Sequence, residues 1–264
     1  MKIFSHTISH MRIGYKITLS ALILALVVIF NKVLAINYIS FVPFVRISFG
    51  SIALLVFSSI TLGPIYGMFI GAFADVIGYF IFDMSSFGWF PQITATYALL
   101  GFVPYFIFLL IKWMKNVKVA VIVEYSLFGA AFLGILLFFI FANSITLYGK
   151  TYDIELYQRF LVPGLTLLFF GIVVLTNFLI GRKMRKNTIL NIYQISLLFF
   201  IVEILINLLF GSLMKAWAFG FDMLSAIFVS QLVVMFFNIP YNSYLMTIIL
   251  SISERYLRKD EYVD

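Results

Sequence analysis

The sequence predicts an all-α protein, a polytopic membrane helix bundle, and three observations carry that prediction. Hydrophobic residues make up 63% of the chain and charged residues 11%, with a mean hydropathy of +1.09. That is more apolar surface than one water-soluble core can bury. The apolar residues come in continuous runs of about the 20 residues that a helix needs to cross a bilayer, not in the short alternating segments that mark barrel strands. Cysteine is absent, which removes disulfides and thiolate metal sites.

Eight helices follow in order. The first, Ile17 to Tyr38, comes after a basic N-terminal stretch; its run has no small-residue cleavage site, so it reads as a retained span and not as a signal peptide. The second, Ile47 to Leu62, and the third, Ile65 to Phe82, are joined by Gly63-Pro64. Glycine permits the tight turn there, and proline opens a helix without losing a needed hydrogen bond. In the third helix Gly67, Gly71, Ala74 and Gly78 fall at i, i+4, i+7 and i+11, a stripe along which another helix can approach closely. The fourth spans Ile93 to Ile111, the fifth Val119 to Phe141, the sixth Phe160 to Ile180 and the seventh Ile189 to Phe210. The eighth, Met223 to Leu250, is long enough to tilt, or to break at Pro240.

The basic residues orient this bundle, because short loops rich in Lys and Arg stay in the cytoplasm. Lys2, Arg12 and Lys16 precede the first helix, Lys112, Lys115 and Lys118 follow the fourth, Arg182, Lys183, Arg185 and Lys186 the sixth, and Arg255, Arg258 and Lys259 the eighth. All fall on one side, against Arg46, Lys150, Arg159 and Lys215 on the other. The expectation is a multi-pass protein of the cell membrane with both termini cytoplasmic. Its net charge of +7 is then accounted for by topology and anionic lipid, with no nucleic acid involved.

Two carboxylates interrupt the apolar runs. Asp75 and Glu203 each lie about seven residues from the expected outer end of their helices, and so at a similar depth of roughly 10 Å. An ionisable group in lipid is costly and turns toward the protein interior or a water-filled cavity. Each is read either as a packing device bonded to a Ser, Asn or Tyr, or as part of a ligand site open to the outside.

The order of motifs then becomes informative. "VRISFG" (Val45 to Gly50), "LGPIYGMFIGAFADVIGYF" (Leu62 to Phe80) and "FPQITATYALLG" (Phe90 to Gly101), with a weaker echo in "VEILINLLFGSLMKAWAFGF" (Val202 to Phe221), resemble the folate-family substrate-binding S components of energy-coupling factor transporters. Gln92 departs from the family, which usually has Gly there. The resemblance implies a membrane receptor that captures a vitamin, folate first, and delivers it inward with a transmembrane coupling subunit and two ATP-binding cassette ATPases. It also implies a six-helix core, 1–118 and 187–254, with 119–186 as an inserted helix pair. Ala21 and Ala25 match the family's first-helix alanine motif for docking the coupling subunit; as a small-xxx-small pair they equally suit internal packing.

For a pterin, a carboxylate from Asp75 or Glu203 can accept adjacent N–H donors as a bidentate pair, and Trp89, Phe90 and Trp217 offer stacking faces or an interfacial belt. Arg46 suits a ligand carboxylate or a lipid headgroup. Asn37, Gln92, Thr94 and Asn207 complete the polar candidates. No catalytic group, cofactor or metal is expected. "SITLYGKT" (Ser144 to Thr151) only approximates a phosphate-binding loop, with Ser144 at the place of the first Gly, and reads as a polar turn. His6 and His10 have metal-ligand spacing but lack a third ligand. The rival reading is a self-contained transporter in which Asp75 and Glu203 carry protons or sodium.

Overall fold

Lipid offers no hydrogen bonds to a backbone, so a spanning segment must satisfy its own peptide groups, and helices do so. The computed structural model describes residues 13–35, 49–83, 88–114, 117–147, 150–183 and 190–260. Over these residues it is an all-α bundle of eight helices: α1 Ile13–Val33, α2 Ser51–Leu62, α3 Pro64–Phe82, α4 Pro91–Trp113, α5 Val117–Phe141, α6 Leu156–Leu179, α7 Ile192–Phe219 and α8 Leu224–Asp260. Seven of the described helices are long and apolar enough to cross a membrane. One end of the bundle carries Gly63, Lys112 and Lys118 and is called the basic end; Trp89 and the α7–α8 junction mark the aromatic end.

Several boundaries differ from those read in the sequence, each for a local reason. Helix α2 starts at Ser51, after Gly50 with φ 87°, and its 12 residues reach only about 18 Å. Helix α7 runs on past Phe210 and ends at Gly220, φ 120°: hydropathy marks where lipid ends, whereas the backbone turns where glycine lets it. Pro240 does not break α8, which is continuous around it. The break falls instead in α4 at Val103-Pro104, where the helix restarts. Ser144–Leu147 and Lys150–Asp153 pair as an antiparallel hairpin between α5 and α6, so the segment read as a polar turn does not lead into a phosphate-cradling helix.

The GxxxG-like stripe of α3 meets α4 in antiparallel fashion. Gly67 lies on the carbonyl of Gly101 and Gly71 on that of Tyr97, so near that a Cβ on either glycine would run into the facing backbone. Helix α2 is enclosed by α1, α3, α4 and α8, and most of its side chains are buried. Its first turn therefore opens where water cannot serve its unpaired N–H groups, and Asn242 of α8 accepts from Ala53 N at 3.1 Å. Ser59 of α2 repays the interrupted α4 in the same way, accepting from Tyr105 N at 3.1 Å.

Helices α5 and α6 pack on α7 and α8. Phe128 of α5 is completely buried, with its ring 4.4 Å from Phe200 and 5.4 Å from both Phe170 and Phe236. A polar node lies nearby: Glu124 Oε1 accepts from Ser196 Oγ at 2.5 Å and from Asn177 Nδ2 at 2.9 Å, tying α5 to α7 and α6. Three helices widen into π turns, at Ile29–Val33, Tyr79–Asp83 and Glu203–Gly211.

Candidate functional site

The α3–α4 contact places a polar cluster toward the aromatic end. Asp75 is 5% exposed on the turn of α3 that precedes its π segment. Its Oδ2 accepts a 2.6 Å hydrogen bond from Thr94 Oγ1, which in turn accepts from Trp89 Nε1 at 3.0 Å. The relay runs from the Trp89 loop into the buried carboxylate and couples the position of that loop to Asp75. Thr94 and Tyr97 share a face of α4, being three residues apart. Tyr97 donates through its hydroxyl to Asn31 Oδ1 of α1 at 3.1 Å, and Asn31 is fully buried. Beside them the Lys32 side chain crosses the bare backbone of Gly78. Gln92, on the first turn of α4, keeps its Oε1 buried with no hydrogen-bond partner.

Glu203 belongs to a different neighbourhood. It is 2% exposed and opens the π turn of α7, where Asn207 Nδ2 donates to its Oε2 at 2.7 Å. Asn238 of α8 also hydrogen-bonds this carboxyl through its side chain, and Lys215 acts on it as a positive charge. Each acid is 11 residues beyond the first residue of its helix at the basic end, Pro64 or Ile192, but toward the aromatic end Asp75 lies seven residues from Phe82 whereas Glu203, because α7 runs on, lies 16 from Phe219. The fourth helix stands between them. Thr94 reaches Asp75, while Thr96, turned by about 200° on the same helix, faces Gly211 of α7. The structure therefore brings Asp75, Thr94 and Trp89 together and leaves Glu203 and Asn207 apart from them.

The remaining candidates divide similarly. Phe90 packs edge-on to Phe219 at 5.0 Å between ring centres and ties the loop to α7. Trp217 is 62% exposed, at a boundary position rather than in the cluster. Ala21 and Ala25 lie on the exposed face of α1. Arg46 and Asn37, like His6 and His10, fall outside the described residues. Asn31, Lys32 and Tyr97 had no assigned role in the sequence reading, although the Asn31-Lys32 pair inside an apolar run was an available signal.

The cluster joins a buried carboxyl, a hydroxyl and an indole N–H at the aromatic end of the bundle. Comparison of the chain with protein-family models, with curated proteins and with solved structures finds no match. What stands is the class: a helical, multi-pass membrane protein whose architecture is compatible with a transporter.

Proposed function

We propose that the chain is a substrate-binding S component of an energy-coupling factor type transporter, which captures folate or a related vitamin at the aromatic end and passes it inward. In this reading the aromatic end faces outside, both termini are cytoplasmic, and the chain performs no chemistry. A transmembrane coupling subunit and two ATPases supply the energy, and the exposed Ala21–Ala25 face of α1 is where the coupling subunit docks. The observation that supports it most is the Trp89–Thr94–Asp75 relay, which joins a loop at the membrane surface to a buried carboxylate. A pterin edge would pair with Asp75 and Gln92 Oε1 while its face lies along the indole. The packing of α5 and α6 on α7 and α8 fits their being an insertion beside a six-helix core.

Direct binding of folate, thiamin, riboflavin and pantothenate to the purified chain in detergent tests the reading. The expected outcome is that folate binds and that Asp75→Asn weakens it by about tenfold or more, as loss of a charged partner worth roughly 1.5–3 kcal/mol requires. Failure to bind any of the four defeats the vitamin assignment. Uptake by the chain alone in vesicles, driven by an ion gradient, would instead favour the self-contained transporter.

A further inference from the structure

Helices α5 and α6 pack on each other and on α7, yet the three do not close. A groove of about 540 Å³ is left between them, within the size range of ligand sites. Tyr125 of α5 forms one wall, its ring edge-on to Phe170 of α6 at 6.2 Å. Leu167, Gly171 and Phe178 of α6 line the groove lengthwise, and Tyr193, in the first turn of α7, lines it at the basic end. Leu167 and Phe178 are exposed, so the groove opens onto the bilayer. These two residues are 11 positions apart, about 16 Å along a helix. That is close to half of a hydrocarbon core of about 30 Å, the depth through which one leaflet extends its acyl chains. In length and in polarity the groove fits an acyl chain entering from the basic end.

The residues at that end decide what head the chain carries. Lys118 is exposed and precedes Tyr125 by seven residues, two turns on the same face of α5. Beyond Phe178 the helix runs on to Lys183, with Arg182 one turn past Phe178, and Arg185 and Lys186 come next in the sequence. Tyr193 adds a phenol, an amphipathic group suited to the border between hydrocarbon and headgroup. Basic residues gathered at one end of an apolar groove favour a lipid with an anionic head. We infer that this groove is a binding site for one anionic phospholipid, with an acyl chain along α6 and its phosphate at the basic end, independent of the Asp75 site and of which molecule that site holds.

The full chain, delipidated in detergent and given back phosphatidylglycerol or phosphatidylcholine of the same acyl chains in mixed micelles, tests the site by thermal unfolding, while native mass spectrometry counts the lipids retained. A lipid that binds only the folded chain raises the midpoint along a saturable curve. The expected result is a saturable rise with one phosphatidylglycerol retained, at several-fold lower concentration than phosphatidylcholine needs. Gly171→Trp removes the rise, because nothing from the rest of the protein stands within 4 Å of its Cβ position and the indole fills the groove without disturbing a neighbour. Leu175→Trp, at another exposed position of the groove, does the same and decides the matter should the first variant not fold. Lys118→Gln raises the phosphatidylglycerol concentration needed by about fivefold, the worth of one basic residue at an anionic surface. Leu133→Trp, exposed on α5 outside the groove, leaves the rise as it was. Equal curves for the two lipids, a preference untouched by Lys118→Gln, a rise that survives Gly171→Trp or Leu175→Trp, or one that Leu133→Trp abolishes as well, overturns the inference.

Discussion

At the scale of single residues, the buried polar groups differ in how far their partners satisfy them. Glu124 is completely buried and gathers hydrogen bonds from Asn177 and Ser196 on Oε1, while its Oε2 has no hydrogen-bond partner. Removing one donor leaves this buried carboxyl shorter still, a loss of roughly 1–3 kcal/mol. Asn177→Leu is therefore expected to lower the thermal midpoint of the purified chain, and the triple change Asn177→Leu, Ser196→Ala and Glu124→Leu to recover much of that loss, since all three polar members of the node are then gone. An unaltered midpoint in the single variant would mean that the node carries no load. This residue illustrates the limits of reading the chain in one dimension. Glu124 is visible as an acid in an apolar run, but its partners lie 53 and 72 positions away, and nothing local in the sequence announces them. Asp75 and Thr94, only 19 apart across one hairpin, were within reach.

At the scale of elements, close approach is a matter of glycine placement. Gly67 and Gly101 face each other so tightly that a methyl group on either has nowhere to go, whereas Gly129 and Gly134 of α5 have open space where a Cβ would stand. Gly67→Ala and Gly101→Ala are expected to destabilise by roughly 1–3 kcal/mol through forced separation of α3 and α4, and, because Thr94 sits on the displaced helix, to weaken the proposed folate binding as well. Gly134→Ala serves as the control and is neutral or slightly stabilising, as helix propensity favours alanine. Unfolding curves of the three variants side by side check this. The stripe on α3 and the Gly63-Pro64 turn were legible because small residues at helical spacing have few other uses in lipid. The start of α2 was not, because hydropathy continues through Ile47 while the helix waits for the positive φ of Gly50. The end of α7 escaped for the converse reason, its last turns being helical but only moderately apolar.

At the scale of the whole molecule, the bundle has an inside and an outside that hydropathy alone does not separate. Helices α1 and α5 are mostly exposed in the described structure, while α7 and α8 are mostly buried, so the last two helices are the pillar on which α5 and α6 lean. The orientation of that pillar is open to direct measurement, and the lack of native cysteine removes any background. With Lys118→Cys at the basic end and Thr151→Cys in the hairpin, both at exposed positions, a membrane-impermeant maleimide applied to intact cells is expected to label the second and spare the first. The opposite pattern would turn the Asp75 site toward the cytoplasm and end the uptake reading.

Helix α2 carries one consequence for how such a chain drifts over time. A helix that faces lipid can exchange one apolar side chain for another at almost no cost, because the solvent asks only for greasiness. Helix α2 meets protein on every side and depends on α8 to complete its first turn, so each of its positions answers to a particular neighbour's shape. Saturation mutagenesis should find its 12 residues among the least permissive in the chain and the outer faces of α1 and α5 among the most.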